Sequence, residues 1–452
     1  MRHFIRPDVT GTGNVQQAHA LDVLGAALDA VDPAKAIRRV LERRENSLWI
    51  DGAAYDLGRY RRIFVIGGGK AGASMAAAVE AVLGDLITAG VVNVKYGYTA
   101  PTRIVRVREA GHPVPDAAGV AGTQEMVNLL RGASADDLVL CLISGGGSAL
   151  MTLPVEGVSL DDMQTLTHLL LRSGAPIQDM NAVRKHLSQI KGGQLARLAH
   201  PATVVSLILS DVVGSPLDVI ASGPTVPDTS TFARAQAVIE RYGITGDVPE
   251  SVRQHLRRGL SGAVPETPKP GELANAHNVI IADNARAAQA AVARAEALGF
   301  HTLRLSTYVE GEAREVARVL AALAKEITAT GRPVPRPACL ILGGETTVTV
   351  HGDGKGGRNQ ELALAAALAI QGIESVMIAS LATDGSDGPT DAAGGLVDGT
   401  TVARGERLGM SAQAALDNND AYPYLSQVGD LMVTGPTNTN VNDLMAVFVF
   451  GA

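Results

Sequence analysis

Apolar positions fall along the chain in two alternating periods. From Val15 to Arg44, Ala18, Leu21, Leu24, Ala27 and Val31 recur at helical spacing and predict an amphipathic helix. After Arg61 the pattern becomes short apolar runs, glycine-rich turns and Ala- or Leu-rich stretches. Ile63 to Ile66 reads as a strand, Gly67 to Lys70 as a turn and Ala71 to Leu83 as a helix. Further strands are predicted at Val91 to Val94 and Ile104 to Val107, and Asp116 is placed to N-cap a helix that runs to Leu130. Leu138 to Ile143 is strand-like and enters Ser144-Gly-Gly-Gly-Ser148; Ser159 and Asp162 have capping-box spacing; Val204 to Leu209 ends at Ser210-Asp211. Alternation of this kind predicts an α/β fold with a doubly wound, mostly parallel sheet.

Residues 259–271 cluster proline and glycine and read as a linker or exposed loop. A second α/β rhythm is expected beyond it, opened by a strand at Val279 to Ala282 and a helix from Asn284. Two more strands, Cys339 to Leu342 and Thr346 to Val350, precede a glycine-rich loop and a helix from Gln360. An apolar strand from Met445 to Phe450 closes the chain. With 452 residues, two domains are the natural division, residues 1–258 and 272–452.

Composition narrows the chemistry. Apolar residues are 46% and charged residues 19%, the range of a packed globular enzyme, and 50 glycines suit many tight strand-to-helix turns. A net charge of −7 argues against general nucleic-acid binding, and scarce aromatics argue against a single-strand stacking platform. Cys141 and Cys339 sit in apolar runs with no Cys-x-x-Cys pair, which favours a reducing compartment. The N-terminus, Met1-Arg-His-Phe-Ile-Arg-Pro, lacks a signal-peptide pattern, and no run reaches the roughly 18 apolar residues of a membrane span. A cytoplasmic protein without membrane or nucleic-acid partners is expected.

Gly67-Gly-Gly-Lys-Ala-Gly72 has the G-x-G-x-x-G spacing of a dinucleotide turn between strand and helix. No Asp or Glu follows between Leu86 and Arg108 to bind a ribose hydroxyl, so an NAD site is disfavoured while an NADP site stays open. Lys70 could instead hold a phosphate or carboxylate. Ser144-Gly-Gly-Gly-Ser148 could fold its amides into an anion nest. No stretch matches the P-loop. Asp211 ends a strand, where open α/β sheets place ligands, and could accept a hydroxyl proton or bind Mg²⁺. Glu345 ends another strand, and Arg358 at a helix N-terminus opposes the helix dipole, a cost that an anion would remove. Thr383-Asp-Gly-Ser-Asp-Gly388 offers hard oxygen ligands at Asp384 and Asp387, without EF-hand spacing.

These segments resemble the class II glycerate kinase family, the glycerate 2-kinases with a C-terminal MOFRL domain. The resemblance rests on Val65-Ile-Gly-Gly-Gly-Lys-Ala, Gly111-His-Pro-Val-Pro-Asp116, Leu142-Ile-Ser-Gly-Gly-Gly-Ser-Ala and Leu209-Ser-Asp-Val-Val-Gly-Ser-Pro. It continues through Ala221-Ser-Gly-Pro-Thr225, Gly343-Gly-Glu-Thr346, Gly356-Gly-Arg-Asn-Gln-Glu361, Ala382-Thr-Asp-Gly-Ser-Asp-Gly388 and Thr437-Asn-Thr-Asn-Val-Asn-Asp443.

It implies transfer of the ATP γ-phosphoryl group to the 2-hydroxyl of D-glycerate with Mg²⁺ or another divalent cation. It also implies a Rossmann-like or flavodoxin-like N-terminal domain and a smaller C-terminal α/β domain containing the MOFRL region, about residues 336–450. The active site would lie between them. Lys70, Asp211 and Arg358 match the family's catalytic residues. Gly67, Gly68, Gly69, Ser144, Gly145, Gly146, Gly147, Ser148, Glu345, Asn359 and Asn440 are the expected substrate and nucleotide contacts, and Asp384 and Asp387 the metal ligands. Glycerate and ATP are the expected partners, and a homodimer is compatible with the sequence. Two alternatives remain at this level: an NADP-dependent hydroxypyruvate reductase, and a non-catalytic protein that binds a small acid or nucleotide.

Overall fold

Pro33 divides the predicted N-terminal helix. The computed structural model describes residues 15–451, so the Met1 to Pro7 segment read for targeting lies outside the described residues. Helix Val15–Ala30 stops before Asp32, and a new helix, Pro33–Val40, starts on the proline, whose missing N–H costs nothing at a first helical position. The expected helix to Arg44 ends instead in β1 (Leu41–Arg44), which pairs antiparallel with β2 (Ser47–Ile50), itself paired with β3 (Ala53–Asp56).

The chain forms two compact units, one from Pro33 to Ile281 and one combining the segment up to Asp32 with Ala282 onward. In the first, β4 (Arg62–Gly68), β5 (Ile87–Lys95), β6 (Val105–Ala110), β7 (Asp137–Ile143), β8 (Thr203–Leu209) and β9 (Ala276–Ala282) form a six-stranded sheet. Their order is β6-β5-β4-β7-β8-β9, with β4 through β8 all parallel. Counted along the chain this is 3-2-1-4-5-6, the order of Rossmann-like sheets, whose switch point falls between β4 and β7. Every residue of β7 is buried, as a strand covered on both faces requires. The helix Gly72–Leu83 follows β4, and Asp116 caps Ala117–Leu130 by accepting the Gly119 N–H at 2.9 Å. Ser159 and Asp162 form the capping box expected of them.

The second unit holds β10 (His301–Glu312), β11 (Ala338–Thr347), β12 (Val376–Ala382), β13 (Gly394–Asp398), β14 (Leu431–Met432) and β15 (Asp443–Val449) in the order β10-β11-β15-β12-β13-β14. Only β10 and β11 run parallel; the other pairings are antiparallel. Helices Ala313–Thr330 and Arg358–Ala369 supply apolar faces to its core.

The division differs from the expected 1–258 and 272–452 in two places. Residues 259–271 are not a linker between units: Asp228 donates its N–H to the Pro268 carbonyl at 2.8 Å and accepts from the Thr267 hydroxyl at 3.0 Å, within the first unit. Helix Val15–Ala30 joins the C-terminal unit, where Arg294 Nε pairs with Asp22 at 2.9 Å and Thr439 donates to the Val31 carbonyl at 2.7 Å. The strand expected to open the second sheet, Val279 to Ala282, is the last strand of the first. Cys339 to Leu342 and Thr346 to Val350 are one strand, β11, ending at Thr347.

Candidate active site

Two clusters carry the predicted site residues, one in each unit. In the first unit the loops after β4 and β7 lean on each other at the switch point. Gly67 (φ +144°) and Gly69 (φ +140°) are required there: a Cβ would stand 2.0 Å from the Leu142 carbonyl oxygen and 2.2 Å from Ser144 Oγ respectively. The turn's amides are already engaged. Gly69 donates to the Asn93 carbonyl (3.0 Å), Lys70 to the Gly145 carbonyl (2.8 Å), Ala71 to Ser144 Oγ (3.0 Å) and Gly72 to the Gly69 carbonyl (3.0 Å). A dinucleotide turn must present these N–H groups to a pyrophosphate. Here Lys70 and Ala71 bind the neighbouring loop, Gly69 binds β5 and Gly72 closes on its own turn, so Gly67, Gly68 and Gly69 shape the site and their turn offers no anion nest. Ser144 likewise is buried and structural.

The second loop differs. Gly146 is left-handed (φ +82°), and the Gly145 and Gly146 amides have no acceptor among the described residues. Gly147 closes back on the Ser144 carbonyl at 3.1 Å, opening the short helix Gly147–Leu150. Ser148 Oγ lies 2.9 Å from Ser222 Oγ, which donates to Asn181 Oδ1 at 3.1 Å. Asp211, just past β8, reaches this loop: its Oδ2 is 2.5 Å from where a Gly145 Cβ would stand.

His112 closes the other side, with Cδ2 and Nε2 at 2.8 and 2.9 Å from the corresponding position on Gly146. Burial, reinforced by the charges of Lys70 and Lys95, pushes its pKa down to about 4, so the imidazole is neutral at pH 7. Sequence reasoning missed His112 as a site residue, although Gly111-His-Pro stood among the motifs. Lys70, Gly145, Gly146, Ser148 and Asp211 are thus brought to one place, with Lys70 close enough to bias His112.

In the second unit Arg358 is the first residue of its helix. Asp443 at the start of β15 grips its guanidinium through two bonds, from Nε to Oδ2 at 2.6 Å and from Nη2 to Oδ1 at 3.0 Å. Glu345 at the end of β11 pairs with Nη1 at 3.0 Å. The dipole cost expected to call for an incoming anion is therefore met by carboxylates of the protein. Burial lowers the Arg358 pKa, but the hydrogen bond and charge of Asp443 outweigh it and the net displacement is upward. Burial raises Asp443 to about 6 against the pull of Arg358. Sequence reasoning passed over Asp443 because it sits in an Asn/Asp-rich stretch that reads as loop.

The remaining predicted residues act around this pair. Asn359 is fully buried, donates to Asp443 Oδ1 at 3.0 Å and accepts from the Ser380 hydroxyl at 2.6 Å, which makes it a support rather than an exposed ligand contact. Asn442 Nδ2 holds Glu345 Oε2 at 2.9 Å, and Asn440 Oδ1 accepts the Asn442 N–H at 3.1 Å. Asp387 is buried and receives the Asn359 and Gln360 amides at 3.2 and 2.9 Å, so it caps the Arg358 helix. Asp384 accepts the Ser386 N–H at 3.0 Å in its own turn. Among the described residues no group of three or more His, Cys, Asp or Glu side chains could hold a metal ion.

Comparison with known proteins follows the same outline. A family described as a domain of unknown function, DUF4147, matches residues 19–257, and the MOFRL family matches residues 338–443. The chain is 44% identical over 430 residues to a glycerate 2-kinase of Pyrococcus horikoshii, covering 95% of this chain and 96% of the relative. It is 45% identical over 427 residues to a D-glycerate 2-kinase of Thermotoga maritima, covering 94% and 96%. A relative from Agrobacterium vitis, 42% identical over 429 residues (94% and 93%), is named, provisionally, a hydroxypyruvate reductase. The crystal structure of a Thermotoga maritima glycerate kinase superposes with a TM-score of 0.87 at 43% identity, covering 96% of this chain and 99% of that one. With that likeness running through both units, the chain belongs to the class II glycerate 2-kinase family with a MOFRL domain.

Proposed function

We propose that the protein transfers the γ-phosphoryl group of ATP to the 2-hydroxyl of D-glycerate, giving 2-phosphoglycerate and ADP. The observation that carries this is the switch-point loop pair. The turn with dinucleotide spacing has spent its amides on the neighbouring loop, on β5 and on itself, while Lys70, Asp211 and the Gly145 and Gly146 amides collect beside it. That set suits placing an anion next to a carboxylate base and does not suit a nicotinamide cofactor.

Phosphoryl transfer asks for positioning and charge neutralisation more than for covalent chemistry. Asp211 takes the proton of the glycerate 2-hydroxyl as its oxygen attacks the γ-phosphorus, and the β-phosphate oxygen of ADP leaves with the bond's electron pair. Lys70 in the first unit and Arg358 in the second are the cations suited to the substrate carboxylate and the moving phosphoryl group. The Gly145 and Gly146 amides and the Ser148 hydroxyl cradle phosphate or carboxylate oxygens. A divalent ion held on the phosphates of ATP would neutralise their charge, and Asp384 and Glu345 are the carboxylates that would contact it through water. Among the described residues no helix is long and apolar enough to cross a membrane, and the two buried free thiols fit a reducing cytoplasm. A homodimer remains part of the proposal.

The test is a coupled assay without added phosphoenolpyruvate: D-glycerate, ATP and Mg²⁺, with enolase, pyruvate kinase and lactate dehydrogenase. NADH is consumed only if 2-phosphoglycerate forms, and the signal is lost with EDTA. An absent enolase-dependent signal, together with NADPH oxidation on hydroxypyruvate, sinks the kinase reading in favour of the reductase.

A further inference from the structure

Behind the glycine loop lies a cavity of about 150 Å³ that the proposed reaction does not use. Its wall is mostly apolar, built from Pro113, Val114, Met163 and Leu171, and two cationic side chains, Arg184 and Lys191, stand in it. No Asp or Glu lines it. His168 also lines the cavity, and three other polar side chains there donate to backbone carbonyls. Gln164 donates to the Pro115 carbonyl at 2.7 Å, Thr167 to the Met163 carbonyl at 2.7 Å and Thr152 to the Ala149 carbonyl at 2.9 Å.

Arg184 makes no side-chain hydrogen bond or ion pair among the described residues, and the acids of the surrounding elements are committed to other partners. Asp179 binds Arg241 and Tyr242, Asp228 binds Lys185, and Glu266 binds His186. Lys191 is almost fully buried and donates to the Ser148 and Met151 carbonyls at 2.7 and 3.0 Å, which leaves its third N–H unused. Holding a half-buried Arg184 beside the buried Lys191 without an anion is costly, and a ligand carboxylate would supply the missing charge.

We propose that this cavity is a binding site for a small carboxylate with an apolar body, its carboxylate meeting Arg184 and Lys191 and its chain lying along Val114, Met163 and Leu171. The ligand is distinct in kind from glycerate, whose hydroxyls would meet an apolar wall, and from a phosphate, which would leave that wall wet. Val114 and Leu171 are 51% and 60% exposed and form an apolar rim open to solvent. The site also bears on the reaction, because Lys191 holds the carbonyl of Ser148 in the glycine loop. Burial, and then the charge of Arg184, keep the Lys191 pKa well below its usual value. A bound carboxylate offsets the second influence.

Hexanoate is the probe, with binding to the full-length protein followed by calorimetry and inorganic phosphate as the competitor. Saturable binding is expected, weakened at least about tenfold by Arg184→Met and by Leu171→Glu, unchanged in Lys70→Ala, and not displaced by phosphate. Leu171→Glu changes an exposed position, so its result stands even if Arg184→Met fails to fold. No saturable binding overturns the proposal, as does binding that survives Leu171→Glu. Loss of binding in Lys70→Ala overturns it in favour of the switch-point site, and displacement by phosphate overturns the choice of an apolar-bodied ligand. None of these outcomes depends on whether the kinase assay is positive.

Discussion

Gly145→Ala is the sharpest perturbation of the switch-point site, because one methyl group is aimed at one carboxylate. The Gly145 backbone is not left-handed, so alanine is accommodated without conformational strain. Its Cβ, however, would stand 2.5 Å from Asp211 Oδ2 and 3.0 Å from Cγ, where ordinary contact begins at 3.4 Å. Asp211 must therefore retreat by about 0.9 Å. A displacement near 1 Å of a positioned reacting group costs roughly 10²-fold in rate. Because the moving atoms end a partly exposed side chain, folding stability should change by no more than about 0.5 kcal/mol. The enolase-coupled assay should report kcat down roughly 10²-fold with the thermal midpoint held. Asp211→Asn should fall at least as far, and the double variant no further than Asp211→Asn alone, since both changes act on one group. Wild-type kcat in Gly145→Ala would refute the placement of Asp211 at the reacting centre. Additive losses in the double variant would show that the methyl acts through something else.

The remaining predictions concern the Arg358 cluster and the loop's backbone. Asp443→Asn leaves Arg358 with Glu345 as its one charged partner; kcat should fall roughly 10²-fold, while urea unfolding shows a loss of about 1–3 kcal/mol. Activity should show an acid limb near pH 6, where Asp443 takes up its proton and loosens the guanidinium, and Asp443→Asn should flatten that limb in a kcat/KM profile. The sign for stability is opposite. A carboxyl whose folded pKa lies above its unfolded value binds its proton first in the folded state, so as pH falls from about 6 toward 4 this group favours folding. A thermal midpoint lowered in that window by Asp443 itself would contradict the reasoning. Gly146→Ala forces φ +82° on an L-residue and presses Cβ to 2.8 Å from His112, so it should lose about 1–2 kcal/mol in urea unfolding, in contrast with Gly145→Ala.

Most of what was legible in the sequence was local. Gly67-Gly-Gly and Ser144-Gly-Gly-Gly announced tight turns after apolar runs, and the positions of Asp116 and Ser159 announced helix starts, because caps and turns are settled by neighbouring residues. What the turns do was not local. The Ala71 amide is taken by Ser144, 73 residues away, and the Gly69 amide by Asn93, so only the folded chain shows that the fingerprint turn is closed to a cofactor. Domain membership failed for the same reason. Val279 to Ala282 looks identical as the last strand of one sheet or the first of another, and hydrophobic pattern carries no address. The C-terminal strand was visible as a strand, yet its place between β11 and β12 rests on pairings about 105 and 70 residues distant in sequence.

Asp443 shows how such long-range pairings change a functional argument. Read alone, Arg358 at a helix start seemed to wait for an anion; in the fold it already has two. They are unequal. The Asp443 side chain is fully buried, receives two Arg358 bonds and is held by Asn359, whereas the Glu345 side chain is 46% exposed and touches Arg358 once. An arriving phosphate or carboxylate can replace Glu345 at the guanidinium of Arg358, whose side chain is 32% exposed, and leave the Asp443 grip intact. On the proposed reaction, Glu345 is then a placeholder that keeps Arg358 paired between turnovers, and Asp443 is the anchor that fixes where the charge points.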